Sequence, residues 1–93
     1  MGATRLNLEI YCHTLDFRKR FKLRSCTDSY LYFEALTRYD FGSIAIYRTS
    51  SKCYRVMSYR SHLQVSRFSE YKSFRTIAEL CVYLETFSKT LSV

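Results

Sequence analysis

The adjacent Cys12 and His13 are the first candidates for chemistry, because a thiol beside an imidazole is a pairing that nucleophilic catalysis uses. The residues before them alternate between apolar and polar, which predicts a strand, and neighbours in a strand point to opposite faces of a sheet. Cys12 and His13 are therefore not expected to hydrogen-bond to each other. His62 follows Ser61 at a predicted strand junction, where a solvated turn residue is expected.

Glycine occurs only at positions 2 and 42. Phosphate-cradling loops and nucleophile elbows need several glycines at fixed spacing, so these motifs are excluded. The sequence predicts no catalytic residue, no enzymatic activity and no cofactor. A small ribonuclease-type toxin would stabilise phosphate charge with Arg, Lys, Tyr and His side chains. It remains an alternative, although no ordered motif connects those residues here.

Four cysteines, at positions 12, 26, 53 and 81, are spread along the chain without a close pair. Structural zinc sites usually bring their ligands in close pairs, so no metal site is predicted. Cys12 and Cys81 fall on the apolar phase of their segments and are expected to be buried as small hydrophobic residues. The sequence contains no secretory signal and no apolar run long enough for a membrane span. We expect reduced thiols and a cytoplasmic location, in a host cytoplasm if the chain is phage-encoded.

The segment 17–24 carries a cation at every second position: Arg18, Arg20, Lys22 and Arg24. In a strand these side chains would project from one face at intervals of roughly 6.5–7 Å, close to the phosphate spacing of a nucleic-acid strand. No acidic residue interrupts the segment between Asp16 and Asp28. The pattern therefore predicts a basic strand that follows a polyanion backbone. A charged edge strand that only prevents aggregation is the alternative.

Two Tyr-Arg dipeptides, Tyr54-Arg55 and Tyr59-Arg60, lie in one predicted strand. Aromatic rings stack on unpaired bases while basic side chains hold phosphates, and the same residue types form protein–protein hot spots. Nine tyrosines and seven phenylalanines in 93 residues are more than one small core encloses, so several rings should be exposed. We predict that these four residues contact the partner.

The composition and the length limit the class of protein to which the chain can belong. Fifteen Lys and Arg against eight Asp and Glu give a net charge of +7, which favours a polyanionic or acidic partner. Hydrophobic residues at 47% and charged residues at 25% are typical of a globular protein. The length predicts a single compact basic domain over residues 1–93.

The elements that would position these residues follow from periodicity. Residues 5–12 and 17–24 alternate in polarity, which predicts two strands. N-cap residue types at 27–29 precede apolar residues at helical spacing, which predicts a helix over residues 30–39 with Gly42 beyond its end. The aromatic residues in 30–33 favour extended structure, so a strand there stays open.

The second half of the chain is predicted as strands followed by a helix. Residues 43–49 and 52–60 should form a hairpin, and residues 63–68 a further strand. Thr76 and Glu79 match a capping box before an apolar stripe from Ile77 to Leu91, which predicts a core-covering helix. The order β-β-α-β-β-β-α predicts an α+β fold, with an antiparallel sheet of four or five strands and two helices on one face.

We therefore expect a non-catalytic binding protein that engages nucleic acid, or a nucleic-acid-containing complex, through the basic strand and exposed tyrosines, with no membrane partner. The alternative is an inhibitor of phage or mobile-element origin, similar in kind to the anti-CRISPR proteins, that binds a host protein target. A chain of charge +7 cannot imitate nucleic acid, but it could cover an acidic surface or hold a guide RNA. The sequence makes no prediction of oligomeric state.

Overall fold

The computed structural model describes residues 2–36, 40–50, 52–62 and 67–90. This part of the chain forms the helices α1 (Gly2–His13), α2 (Asp16–Arg20) and α3 (Ile77–Lys89), and the strands β1 (Lys22–Cys26), β2 (Tyr30–Leu36), β3 (Asp40–Ser50), β4 (Cys53–His62) and β5 (Arg67–Phe74). The α+β class is confirmed. The predicted element order is wrong, because two helices precede the first strand and the five strands follow one another.

The five strands form one antiparallel sheet in the order β1-β2-β3-β4-β5. Each strand pairs with the next one in the chain, so short connections suffice. Alternate side chains of β2, β3 and β4 point to one face and are buried there, including Leu31, Phe33, Ile44, Ile46 and Val56. This face of the sheet is one half of the core.

The helices supply the other half of the core. Leu6 and Ile10 of α1, Phe17 of α2, and Leu80 and Leu84 of α3 are buried against the sheet. Covering one face of an antiparallel sheet leaves the opposite face to solvent. The described residues therefore form two layers with three helices on one face of the sheet, where the sequence predicts two helices on one face.

The predicted strand at residues 5–12 is wrong, since these residues lie in α1. Leu6 and Ile10 are buried one helical turn apart, whereas Leu8 is 59% exposed and Cys12 is exposed. Apolar residues at 6, 8, 10 and 12 satisfy both a period of two and a spacing of four. Packing on the sheet selects the second arrangement.

The predicted strand at 17–24 is half helix. Residues Asp16–Arg20 form α2, Phe21 is extended, and β1 begins at Lys22. Phe17 and Phe21 are both buried, and their rings stack with centroids 4.6 Å apart. In a strand, residues four apart share a face but lie about 13 Å from each other, so rings this close require the intervening turn to be helical.

The predicted helix at 30–39 is wrong for its described part, because Tyr30–Leu36 form β2 and residues 37–39 lie outside the description. Gly42 does not end a helix. It pairs with Ala35 inside β3 and has no positive φ. The alternation in β2 is weak, because its core face carries apolar residues and its other face carries tyrosines, which are only partly polar.

The later predictions are largely confirmed. β3 and β4 form the expected hairpin, and α3 begins after Thr76, whose side chain accepts a hydrogen bond from the backbone N–H of Glu79 at 3.2 Å. The strand predicted at 63–68 is shifted, because β5 runs over Arg67–Phe74 and residues 63–66 lie outside the description. Leu91 also lies outside it.

Candidate nucleic-acid interface

The sheet face opposite the helices carries a concentration of aromatic side chains. The strand registers place on it Tyr30, Tyr32, Phe41, Tyr47, Met57, Tyr59 and Tyr71, the cations Lys22 and Arg55, and the acid Glu34. Arg24, at the register shift of β1, joins them through its ion pair with Glu34. We call this surface the open face. Tyr47, Met57 and Tyr71 are 39%, 49% and 54% exposed, values far above those of core residues. The open face is therefore a solvent-accessible platform of rings.

A pair of tyrosines occupies one end of the platform. Tyr30 of β2 stands opposite Tyr47 of β3, and their ring centroids are 4.8 Å apart at an interplanar angle of 45°. Arg55 of β4 stands opposite Tyr47 on its other side. Two rings and a guanidinium thus follow one another across three strands.

The next row of side chains crosses the centre of the sheet. Tyr32, Ala45, Met57 and Tyr71 stand in register on β2, β3, β4 and β5. Because the side chain of Ala45 is short, a shallow depression lies between the longer side chains of Tyr32 and Met57. The neighbouring Tyr71 raises the pKa of the Arg55 guanidinium, which therefore stays charged. The row offers flat apolar surface with a positive charge held beside it.

A cleft of about 220 Å³ opens at the β1 side of the open face, lined by Arg20, Lys22, Arg24, Glu34 and Phe41. Glu34 Oε1 lies 3.4 Å from Nε of Arg24, and its Oε2 accepts a hydrogen bond from the Tyr32 hydroxyl at 3.0 Å. Arg20 Nε lies 3.1 Å from Asp16 Oδ2. The two carboxylates orient two of the three cations without neutralising the cleft, because Lys22 adds a further exposed charge.

The hydroxyls of Tyr30 and Tyr32 on the open face stay neutral at physiological pH. Partial burial raises the pKa of Tyr30, and the neighbouring Tyr47 and Tyr32 raise it further. Burial also raises the pKa of Tyr32, with Glu34 acting in the same direction. Among the described side chains of the open face, the charges are those of Lys22, Arg24 and Arg55 against that of Glu34, and their sum is positive.

Four of the eight predicted site residues lie on the open face: Lys22, Arg24, Arg55 and Tyr59. Arg20 lies on α2 but lines the cleft at its edge. The predicted row of four cations along one strand is wrong, because Arg18 and Arg20 belong to a helix. Arg18 points elsewhere, and its Nη1 donates to the carbonyl of Tyr11 at 3.4 Å.

Tyr54 and Arg60 belong to the helix side of the sheet. Tyr54 is 5% exposed within the core. Arg60 Nη1 donates to the carbonyl of Thr90, just after α3, at 3.2 Å. Each Tyr-Arg dipeptide is therefore divided between the two faces, as neighbours in a strand must be.

Sequence reasoning missed Met57 and most of the rings on the open face: Tyr30, Tyr32, Phe41, Tyr47 and Tyr71. A signal for two of them was present. Tyr30 and Tyr32 alternate with the buried Leu31 and Phe33. Such alternation is the pattern of strands with one face in solvent.

Several other reactive groups lie away from the open face. Cys12 is exposed, so its predicted burial is wrong, whereas Cys81 is buried as predicted. The Tyr83 hydroxyl lies 2.6 Å from Ser58 Oγ and donates to Glu70 Oε1 at 2.7 Å. Burial raises the pKa of Tyr83 to about 12, so this phenol is a structural donor at physiological pH.

Within the described ranges, neither a cluster of metal-binding side chains nor a long apolar helix occurs. There, no three His, Cys, Asp or Glu side chains come together in a way that could hold a metal ion. The helices described in the structure are too short and too polar to cross a bilayer.

Comparisons of the chain with protein-family models, with curated proteins and with solved structures gave no match. Its function is therefore inferred from the chemistry of the open face.

Proposed function

We propose that this protein is a non-catalytic binder of single-stranded nucleic acid, and that the open face is its binding surface. The observation that carries the proposal is the uncovered set of rings centred on Tyr30 and Tyr47, with Arg55 next to them in register. Unpaired bases present flat apolar faces that stack on such rings whatever the base. If these rings served only to pack the core, they would be buried, as Phe17, Phe21 and Phe33 are.

The charges around the rings support a polyanion as the partner. The chain carries +7, and the cleft lined by Arg20, Lys22 and Arg24 opens where the rings end. Phosphates of a strand whose bases lie on the rings can reach these cations at one side and Arg55 at the other. Phe41 lines the same cleft, so a ring and a phosphate site adjoin there.

A single strand fits the face better than a duplex does. A sheet with exposed rings offers stacking, and stacking needs bases that are not already paired. A duplex is read by a helix or a narrow ribbon that enters its groove, whereas the open face spans five strands. The four free thiols are typical of a reducing compartment, and we include a cytoplasmic location in the proposal.

The test is fluorescence anisotropy with labelled oligo-dT and oligo-U strands and a matched duplex. We expect the strands to bind more tightly than the duplex at equal salt. Tyr47→Ala should weaken binding by roughly 5- to 150-fold, the equivalent of ~1–3 kcal/mol for one stacked base. Tyr47→Phe keeps the ring and should bind within about twofold of the parent.

Two results would overturn the proposal. One is the absence of strand binding at low salt, which would move a protein target, including the inhibitor hypothesis, into first place. The other is equal affinity of Tyr47→Ala and Tyr47→Phe for the oligonucleotides, which would show that the ring of Tyr47 does not contribute to binding. Cleavage of the RNA strand during the titration would instead favour the ribonuclease alternative.

A further inference from the structure

Strand β5 forms one edge of the sheet. It pairs with β4 from Arg67 to Phe74 without a register shift, and residues 69–73 are exposed or half-buried. An edge strand presents a row of backbone N–H and C=O groups to which another strand can hydrogen-bond. This regular edge of eight residues is therefore a surface that can accept a further strand.

The other edge is less suited to pairing. β1 has five residues, and its register shifts between Leu23 and Ser25. A bulge of this kind bends a strand and is a common device against edge-to-edge association. Of the two edges, only β5 is both long and regular.

The sequence of β5 is complementary to itself when read in reverse. Around Tyr71 it runs Phe68-Ser69-Glu70-Tyr71-Lys72-Ser73-Phe74. In an antiparallel pair of two copies centred on Tyr71, each serine stands opposite a serine and each phenylalanine opposite a phenylalanine. Glu70 of one copy stands opposite Lys72 of the other, twice. Opposite charges at facing positions stabilise an antiparallel pair.

The contacts that Glu70 and Lys72 make within one chain do not prevent their pairing with a second copy. Glu70 Oε2 and Lys72 Nζ are 3.8 Å apart along the same strand, and the Lys72 side chain is 48% exposed. Glu70 is held by the hydroxyl of Tyr83, so its carboxylate has a fixed position. Beyond Phe74 the strand ends, so a pairing centred on Tyr71 spans the seven residues from Phe68 to Phe74.

We propose that two copies of this chain associate through β5 in antiparallel register, with Tyr71 of both copies at the two-fold axis. Such an interface is isologous, because the same residues act on both sides. The two sheets would join into one sheet of ten strands, with both open faces on the same side. The proposal does not depend on the partner of the open face, although it would place two ring platforms side by side.

The first test is the mass in solution without nucleic acid, measured by sedimentation equilibrium over a range of concentrations. We expect association to twice the 11.1 kDa of the chain. Lys72→Glu puts like charges opposite each other and should weaken association about tenfold or more. The double variant Glu70→Lys with Lys72→Glu should restore it. Lys52→Glu, an exposed change in the β3–β4 turn, is the matched control and should leave association unchanged.

The second test fixes the register and does not depend on those charges. In a background without the thiols of Cys12, Cys26 and Cys53, Tyr71→Cys should form an interchain disulfide on mild oxidation. Directly paired residues have Cα atoms about 4.5–5.5 Å apart, within disulfide range. Ser73→Cys is the control on the same face, because its two copies would lie about 13 Å apart along the strands.

A monomer at every concentration would overturn the proposal, and so would equal cross-linking of Tyr71→Cys and Ser73→Cys. If the variants with Lys72→Glu lose their fold by circular dichroism, the cross-linking pair still decides the matter. Both readouts are independent of nucleic-acid binding. Failure of the dimer proposal therefore leaves the proposed function standing, and failure of the proposed function leaves the dimer proposal standing.

Discussion

The carboxylate of Glu85 accepts a hydrogen bond from the backbone N–H of Phe17 at 2.9 Å, although the two residues are 68 positions apart. It also accepts from the N–H of Leu15 at 2.9 Å and of Asp16 at 3.3 Å. These are N–H groups that a helix start leaves without an internal partner. Asp16 in turn accepts from Ser88 Oγ at 2.7 Å. α3 thus caps α2 and fixes the short helix that carries Arg20 to the edge of the open face.

We predict that Glu85→Ala lowers the free energy of unfolding by about 2–3 kcal/mol, because three backbone donors lose a charged acceptor together. Glu85→Gln keeps one acceptor oxygen and should fall between Ala and the parent. Urea denaturation followed by circular dichroism measures both. If Glu85→Ala unfolds at the same urea concentration as the parent, the cap contributes nothing and this account of α2 is wrong.

Truncation of a buried side chain in α3 should also lower the free energy of unfolding. Leu84 is fully buried, so Leu84→Ala should destabilise by roughly 2–5 kcal/mol. Total stability of a domain is about 5–15 kcal/mol, so this variant should melt far below the parent. Val82 on the same helix is 68% exposed, and Val82→Ala should change stability by about 0.5 kcal/mol or less. Similar melting of the two variants would contradict the helix register.

The thiols should differ sharply in reactivity at mildly alkaline pH. Cys12 and Cys26 are exposed and should react quickly with an alkylating reagent, whereas Cys81 is buried. Burial raises the pKa of the Cys81 thiol from its ordinary 9.0 to about 11, and the nearby Glu85 and Glu9 act in the same direction. The thiolate is the reactive form. Cys81 should therefore resist labelling until denaturant unfolds the chain, as mass spectrometry of the labelled peptides would show.

The same shift predicts a loss of stability in alkali. The unfolded thiol releases its proton at lower pH than the folded one, so its contribution is complete below about pH 9 and is lost as the pH rises towards 11. Cys81→Ala removes this component. The stability difference between parent and variant should shrink over that window, and a constant difference would argue against a buried thiol.

Arg55 and Arg18 provide a matched comparison of charge at and away from the open face. Each substitution to alanine removes one positive charge. Arg55→Ala should weaken strand binding and flatten the salt dependence by roughly 0.7 log units per log of salt, the value for one phosphate contact on a single strand. Arg18→Ala, whose side chain reaches the carbonyl of Tyr11, should leave the slope nearly unchanged. Equal effects of the two substitutions would indicate binding by net charge alone.

Local signals in the sequence were sufficient for the second half of the fold. Thr76 caps α3 through the backbone N–H of Glu79, as its residue type predicts, and the β3–β4 hairpin follows from its β-branched and aromatic residues. The prediction of the first half failed because the spacing of its apolar residues fits both a strand and a helix. Leu6 and Ile10 fit a strand by alternation and a helix by a spacing of four, and only their packing on the sheet distinguishes the two.

The candidate site was predictable in type but only partly in position. Excess aromatic residues and the charge of +7 indicated exposed rings with cations, and Arg55 and Tyr59 lie where that predicts. The pairing of Tyr30 with Tyr47 depends on two strands meeting in one register. That register is a property of the assembled sheet, and no spacing within either segment encodes it.

The central claim is that strands of nucleic acid bind on the open face, and an NMR titration of the isotope-labelled protein with oligo-U tests it most directly. We predict that the largest amide shifts occur at Tyr30, Tyr47 and Met57 in β2, β3 and β4. Amides on the far side of the molecule, such as Ala78 and Val82 of α3, should move little. Measurable binding with its largest shifts on α3, and none on the three strands, would contradict the claim.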